Sequence, residues 1–219
     1  MKKDLTELVF ILDKSGSMAG LEEDTIGGYN AMLDKQKKEP GEAVITTVLF
    51  ADGYELLHER IDIKGIRPIS DKEYFVGGTT ALLDAVGMTI HKIGSAQKHT
   101  LEAKRAEKVM VVITTDGMEN ASREYTYAQI KQLIEHQKEK YGWEFIFLGA
   151  NVDAIGTAAK FGISEDRAAN YHADREGTQL NYVSVSAVVS EFRKNNSINK
   201  DWKSEIDVDY KKRQQKDHR

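Results

Sequence analysis

Short, almost purely apolar runs alternate along this chain with longer amphipathic stretches. The first run, Leu8-Val9-Phe10-Ile11-Leu12, predicts a buried strand over about 7–12. Leu21, Thr25, Gly28, Met32 and Leu33 then recur at helical spacing, and that helix stops before Pro40-Gly41. Ala43 to Phe50 and Tyr54 to Ile63 read as strands joined by Asp52-Gly53, a strong hairpin signal. A helix over about 80–95 places Leu82, Leu83, Val86, Ile90 and Ile93 on one face, and the polar stretch Gln97 to Lys108 reads as a loop or frayed helix end. Two more strand–helix units follow: Val109 to Thr114 with a helix over 126–140, then Trp143 to Leu148 with a helix over 152–160. Ala168 to Tyr171 predicts a short sixth strand and Gly177 to Asn195 a last helix. This alternation predicts an α/β domain: a doubly wound, mostly parallel six-stranded sheet with one antiparallel edge strand and helices on both faces. It spans residues 1–195. Residues 196–219 form a polar extension in which Trp202 and Ile206 pin 200–208 to the body, and the last nine residues are expected to be disordered.

The first strand ends in Asp13-Lys14-Ser15-Gly16-Ser17. A carboxylate and two hydroxyls at alternate positions, with Gly16 letting the backbone curl, can turn three hard oxygens toward one point. Oxygen donors of this kind suit Mg²⁺ or Mn²⁺ better than zinc. The run from Val109 to Thr115 repeats the device and ends in Asp116-Gly117, and between the two lies Gly77-Gly78-Thr79-Thr80 just before a helix. In a doubly wound sheet, ligands bind beyond the carboxyl ends of the strands where the strand order reverses. Asp13 and Asp116 end strands expected to lie side by side at that point, with Thr79 opening the helix between them. The competing reading is purely local: Asp13 and Ser15 cap the helix near Leu21, and Asp116-Gly117 is a turn.

Asp-x-Ser-x-Ser, then Gly-Gly-Thr, then a strand ending in Thr-Asp-Gly resembles the metal-ion-dependent adhesion site (MIDAS) of von Willebrand factor A (vWA) domains. Three further stretches, Thr25 to Asn30, Asp116 to Ser122 and Leu148 to Ala154, resemble a stand-alone bacterial or phage branch of that family. The resemblance covers about residues 5–194 and implies that Asp13, Ser15, Ser17, Thr79 and Asp116 hold a divalent metal. It further implies Mg²⁺ (or Mn²⁺) with an open position, completed by a Glu or Asp of a protein partner, and binding without catalysis. The alternatives are an accessory subunit of an ATPase or chelatase-type complex, or a metal-dependent phosphohydrolase using Asp13.

Other chemistry is poorly supported. Ser15 and Ser17 sit in no Gly-x-Ser-x-Gly elbow, the six histidines sit in no metal motif, and no Gly-x-Gly-x-x-Gly follows the first strand. Glu119 and Asn120, beside Asp116, are either rim residues contacting a partner or a helix cap. Glu22, Glu23 and Asp24 read as charges favoured at a helix N-terminus. With 31 basic against 35 acidic residues among 219, the net charge of −4 points away from nucleic acid. There is no cysteine, hence no disulfide or thiolate site. No window of about 18 apolar residues predicts a membrane span. Asp4 and Glu7 interrupt what would otherwise mimic a signal peptide, so a cytoplasmic location is expected.

Overall fold

A computed structural model describes residues 1–217. Six strands form one sheet in the order β3-β2-β1-β4-β5-β6. These are β1 (Lys2–Asp13), β2 (Glu42–Phe50), β3 (Tyr54–Asp62), β4 (Ala106–Thr115), β5 (Glu144–Ala150) and β6 (Ala168–Tyr171). Five run parallel, and β3 pairs antiparallel with β2 at one edge. Six α-helices cover the two faces: α1 (Glu22–Lys38), α2 (Leu82–His99), α3 (Tyr127–Tyr141), α4 (Ala154–Lys160), α5 (Arg175–Asn195) and α6 (Ser204–Asp217).

The unbroken apolar runs are explained by burial on both faces. Along β1, Leu8, Phe10 and Leu12 enter a core with α1, α5 and α6, whereas Val9 and Ile11 enter the opposite core with α2, α3 and α4. β4 divides in the same way, Met110 and Val112 to one side and Val109, Val111 and Ile113 to the other. β1 lies between β2 and β4, so the strand order reverses there and the carboxyl ends of β1 and β4 share one crevice. On the first face α1 and α5 pack closely. A Cβ at Gly28 would overlap the Tyr182 ring, and Arg193 Nη1 donates to the Gln36 carbonyl at 2.6 Å.

Three boundaries differ from the expectation. β1 begins at Lys2, because Lys2 pairs with Ala106 of β4 across an irregularity at Asp4, whose φ is +62°. The polar stretch after residue 96 is mostly ordered: α2 runs to His99, a 3-10 turn covers Glu102–Lys104, and β4 starts at Ala106. Most of the polar extension is also structured. Residues 211–217, expected to be disordered, continue α6, while 218–219 lie outside the described residues. The extension covers β6, the other edge of the sheet. There Trp202 Nε1 donates to the Asp166 carbonyl and Lys203 Nζ to the Ala168 carbonyl, both at 2.8 Å, and Ile206 is buried. Among the described residues, no helix is long and apolar enough to cross a membrane.

Candidate metal site

Asp13 is the last residue of β1 and is 1% exposed. Both of its carboxylate oxygens are held: Oδ1 accepts from the Ser15 amide at 2.7 Å and Oδ2 from the Thr115 hydroxyl at 2.6 Å. Its carbonyl accepts from the buried Tyr74 hydroxyl at 2.5 Å. The chain then curls through a 3-10 turn, Gly16–Met18, which brings Ser15 Oγ and Ser17 Oγ within 3.0 Å of each other. Ser17 reaches across to donate to Asp116 Oδ1. Asp13, Ser15, Ser17 and Asp116 thus converge at the β1/β4 crevice, as their spacing predicts.

The fifth residue differs. Thr79 is exposed, and both its amide and its hydroxyl bond to Asp52 Oδ1, at 2.5 and 3.0 Å. It lies in a separate hollow with Asp52, Ala81 and Asp84. Its neighbour Thr80 is buried and faces the crevice: a Cβ built on Gly117 would stand 2.6 Å from Thr80 Oγ1 and 3.0 Å from Ser17 Oγ. The structure therefore brings Thr80, not Thr79, to the other four. In an extended segment successive side chains point to opposite sides, so a one-residue shift reverses the assignment. The missing Cβ at Gly117 is what lets the two hydroxyls approach the Asp116 loop.

Glu119 and Asn120, left open between rim and cap, brace this loop. Glu119 Oε2 accepts from the Leu83 amide at 2.9 Å at the start of α2, and Oε1 accepts from the Ala121 and Ser122 amides. Asn120 exchanges two bonds with Thr80, accepting from its amide at 2.9 Å and donating its own amide to its carbonyl at 3.1 Å. On the other side, the Gly77 amide donates to the Lys14 carbonyl and the Gly16 amide to the Gly78 carbonyl. Gly78 has φ +80° and lies against the Asp52 carboxylate, where a side chain would not fit. Tyr74 carries no sequence signal of its own, and the bonds that Thr115 and Asn120 make are hidden in the sequence as well, since each acts across a contact between distant segments.

The electrostatics are unbalanced. Burial pushes the Asp13 carboxyl above its usual range, opposed by its bonds from Thr115 and Ser15. Asp116 is raised to about 6 by burial, assisted by the nearby Asp13 charge. Its Oδ2 is buried without a hydrogen-bond partner. An unpartnered buried carboxylate oxygen costs several kcal/mol unless a cation or proton meets it. Three hydroxyls and two carboxylates converge here, all hard oxygens, a donor set that fits a hard divalent cation. Among the described residues no cluster of three His, Asp or Glu offers an alternative metal site.

No family model matches this sequence, and no curated protein sequence matches it. Solved structures do match in shape. The von Willebrand factor type A protein from Catenulispora acidiphila superposes with TM-score 0.56 at 14% identity, over 84% of this chain and 42% of that one. The chain has the von Willebrand factor A fold. Proximal thread matrix protein 1 from the mussel byssus, with a zinc-occupied MIDAS motif, has TM-score 0.57 and 15% identity over 84% of this chain and 46% of its own. Manganese-loaded TRAP protein from Plasmodium vivax has TM-score 0.56 and 12% identity over 84% and 75%. The chain thus spans less than half the length of the first two. At these identities the likeness is one of fold, and the reading of this vWA-fold site rests on its own residues.

Proposed function

We propose that this vWA-fold domain binds another protein through a hard divalent cation, Mg²⁺ or Mn²⁺, without catalysis. Asp13, Ser15, Ser17, Thr80 and Asp116 would hold the ion, Thr80 replacing Thr79 in the set drawn from sequence. The observation that carries the reading is the buried, unpartnered Asp116 Oδ2 beside three hydroxyls and a second buried carboxylate. The zinc-occupied and manganese-loaded relatives by fold support a divalent ion at this place. Two carboxylates only neutralise such an ion, and hydroxyls add no charge, so the ion would supply an electrophilic position for a Glu or Asp of the partner. Both carboxylates of the crevice, Asp13 and Asp116, are ligands in this scheme, and the neighbouring Glu119 is committed to the Leu83, Ala121 and Ser122 amides rather than placed to activate water.

Phe75 and Met118 are exposed on loops that flank the ligands, and Lys14 Nζ sits 4.2 Å from the Phe75 ring centroid while pairing with Glu55. A displayed peptide library with a fixed central Glu, panned in Mg²⁺ and in EDTA, tests the proposal. Enrichment in Mg²⁺ that vanishes in EDTA and in Asp116→Ala is expected. Equal recovery in all arms, or Mg²⁺-dependent turnover of a generic phosphoester abolished by Asp13→Ala, refutes it.

A further inference from the structure

A groove of about 710 Å³ lies between the C-terminal halves of α2 and α3. It reaches Ala106, the first residue of β4, whereas Asp116 follows the last. Ten residues of strand separate the two, so the groove is about 30 Å from the metal site. Its floor is apolar, formed by the buried Ile90, Val109 and Trp143. Its walls carry Lys98, Arg105 and Lys140 together with His91, His99 and His136, against a single carboxylate, Glu107.

Within a chain of net charge −4 this is a local excess of positive charge. Several partly buried cations elsewhere meet carboxylates, as in Arg60 with Glu7, Arg167 with Glu144 and Arg213 with Asp209, while Lys108, Lys138 and Arg193 are bonded to backbone carbonyls. Among the described residues, Lys98, Arg105 and Lys140 form no such pair. Arg105 Nη2 bonds only to the Thr100 carbonyl, and its Nε is buried without an acceptor. Cations in the last turn of a helix complement its dipole, which accounts for Lys98 and Lys140 singly. It does not account for Arg105, which lies outside any helix, or for the apolar floor that all three border.

We infer that this groove is a second docking surface and that its occupant is an acidic segment of a partner protein carrying apolar side chains between its carboxylates. The charge of the walls selects the acid and the floor takes the apolar groups. Nucleic acid fits less well, because phosphate tracking needs a longer run of cations and has no use for an apolar floor. The domain would then join two partners, one at each end of its sheet.

A random displayed peptide library panned in EDTA tests this with the metal site silent, so the outcome is independent of the metal reading. Enriched peptides should be acidic with interspersed apolar residues. By fluorescence anisotropy their affinity should fall about tenfold or more in Lys98→Glu/Lys140→Glu, and again between about 50 and 500 mM NaCl. Both lysines are exposed, so the variant should keep the wild-type circular dichroism and one cooperative melt, its melting temperature lowered only slightly by anions at the two helix ends. Asp13→Ala should bind the peptides as wild type does. Failure to enrich acidic sequences, equal affinity in the charge-reversed variant, or tighter binding of a labelled single-stranded oligonucleotide than of the peptides would overturn the inference.

Discussion

Thr115 and Asp13 end neighbouring parallel strands and share one hydrogen bond, 2.6 Å from the Thr115 hydroxyl to Asp13 Oδ2. The same hydroxyl accepts from the Gly117 amide at 3.2 Å, so a single atom links the two loops that carry the carboxylates. Thr115 is fully buried and lies behind Asp13, orienting it without joining the converged oxygens. Thr115→Val keeps the shape and removes the bond. Mn²⁺ affinity measured by calorimetry should fall about tenfold or more, as for other residues that orient metal ligands. Stability should fall by about 1–3 kcal/mol, because Asp13 Oδ2 would lose its donor in a dry site. Unchanged Mn²⁺ affinity would reduce Thr115 to a packing residue.

Part of this arrangement is legible in the sequence, and the divide has a physical cause. Asp13, Ser15 and Ser17 occupy one loop, so their spacing alone constrains where they point, and Asp116 is placed by the strand that ends at it. The sheet is legible because β1 and β4 are buried on both faces and the Asp52-Gly53 turn marks the one antiparallel pairing. Thr79 and Thr80 are adjacent and identical, so only the tertiary partners, Asp52 for one and Asn120 for the other, distinguish them. Tyr74 and Thr115 reach Asp13 across 61 and 102 residues. The helical tail is hidden for the same reason: Arg213 pairs with Asp174, on another element, as well as with Asp209. A polar sequence read locally looks solvated, while its anchors are remote.

The choice between the two threonines is directly testable. Thr80→Ala removes a hydroxyl that faces Ser17 and the Asp116 loop, while its backbone bonds to Asn120 can persist. It should lower Mn²⁺ affinity at least about tenfold, as expected where one charge-facing ligand is lost. Thr79→Ala removes only a bond to an exposed carboxylate and should change affinity by less than about threefold. The reverse ranking would restore the assignment drawn from sequence.

Metal removal should leave the domain folded. Both cores are built from strand and helix residues such as Phe10, Ile11, Val112 and Ile113, none of them a member of the proposed ligand set. In EDTA the protein should show a native circular dichroism spectrum and one cooperative melt. A saturating metal at 100 times its dissociation constant adds about 2.7 kcal/mol by mass action. Asp13→Ala should melt cooperatively in EDTA and gain nothing from Mg²⁺. A wild-type chain that is unfolded in EDTA would mean that the ion, rather than the two cores, holds the fold.

The Asp116 carboxyl gives the metal-free protein a distinctive pH dependence. Its value near 6 in the folded state lies above the 3.8 of an unperturbed aspartate. A raised folded-state value means that the folded protein holds the proton more tightly than the unfolded chain does. The stability from neutral Asp116 is therefore present at low pH and is lost as the pH rises through about 6. The shift corresponds to a loss on the order of 3 kcal/mol by neutral pH. Asp116→Asn keeps the shape and cannot ionise. In EDTA it should melt above the wild type at pH 7.5, with the gap narrowing to about half at pH 5 and closing only toward the unfolded value of 3.8. Adding Mg²⁺ at pH 7.5 should raise the melting temperature of the wild type and leave Asp116→Asn nearly unmoved, because only the carboxylate gains from the cation. Parallel melting curves of the two proteins across this pH range in EDTA would show that Asp116 is not strained without metal, and the argument from its unpartnered oxygen would fall with it.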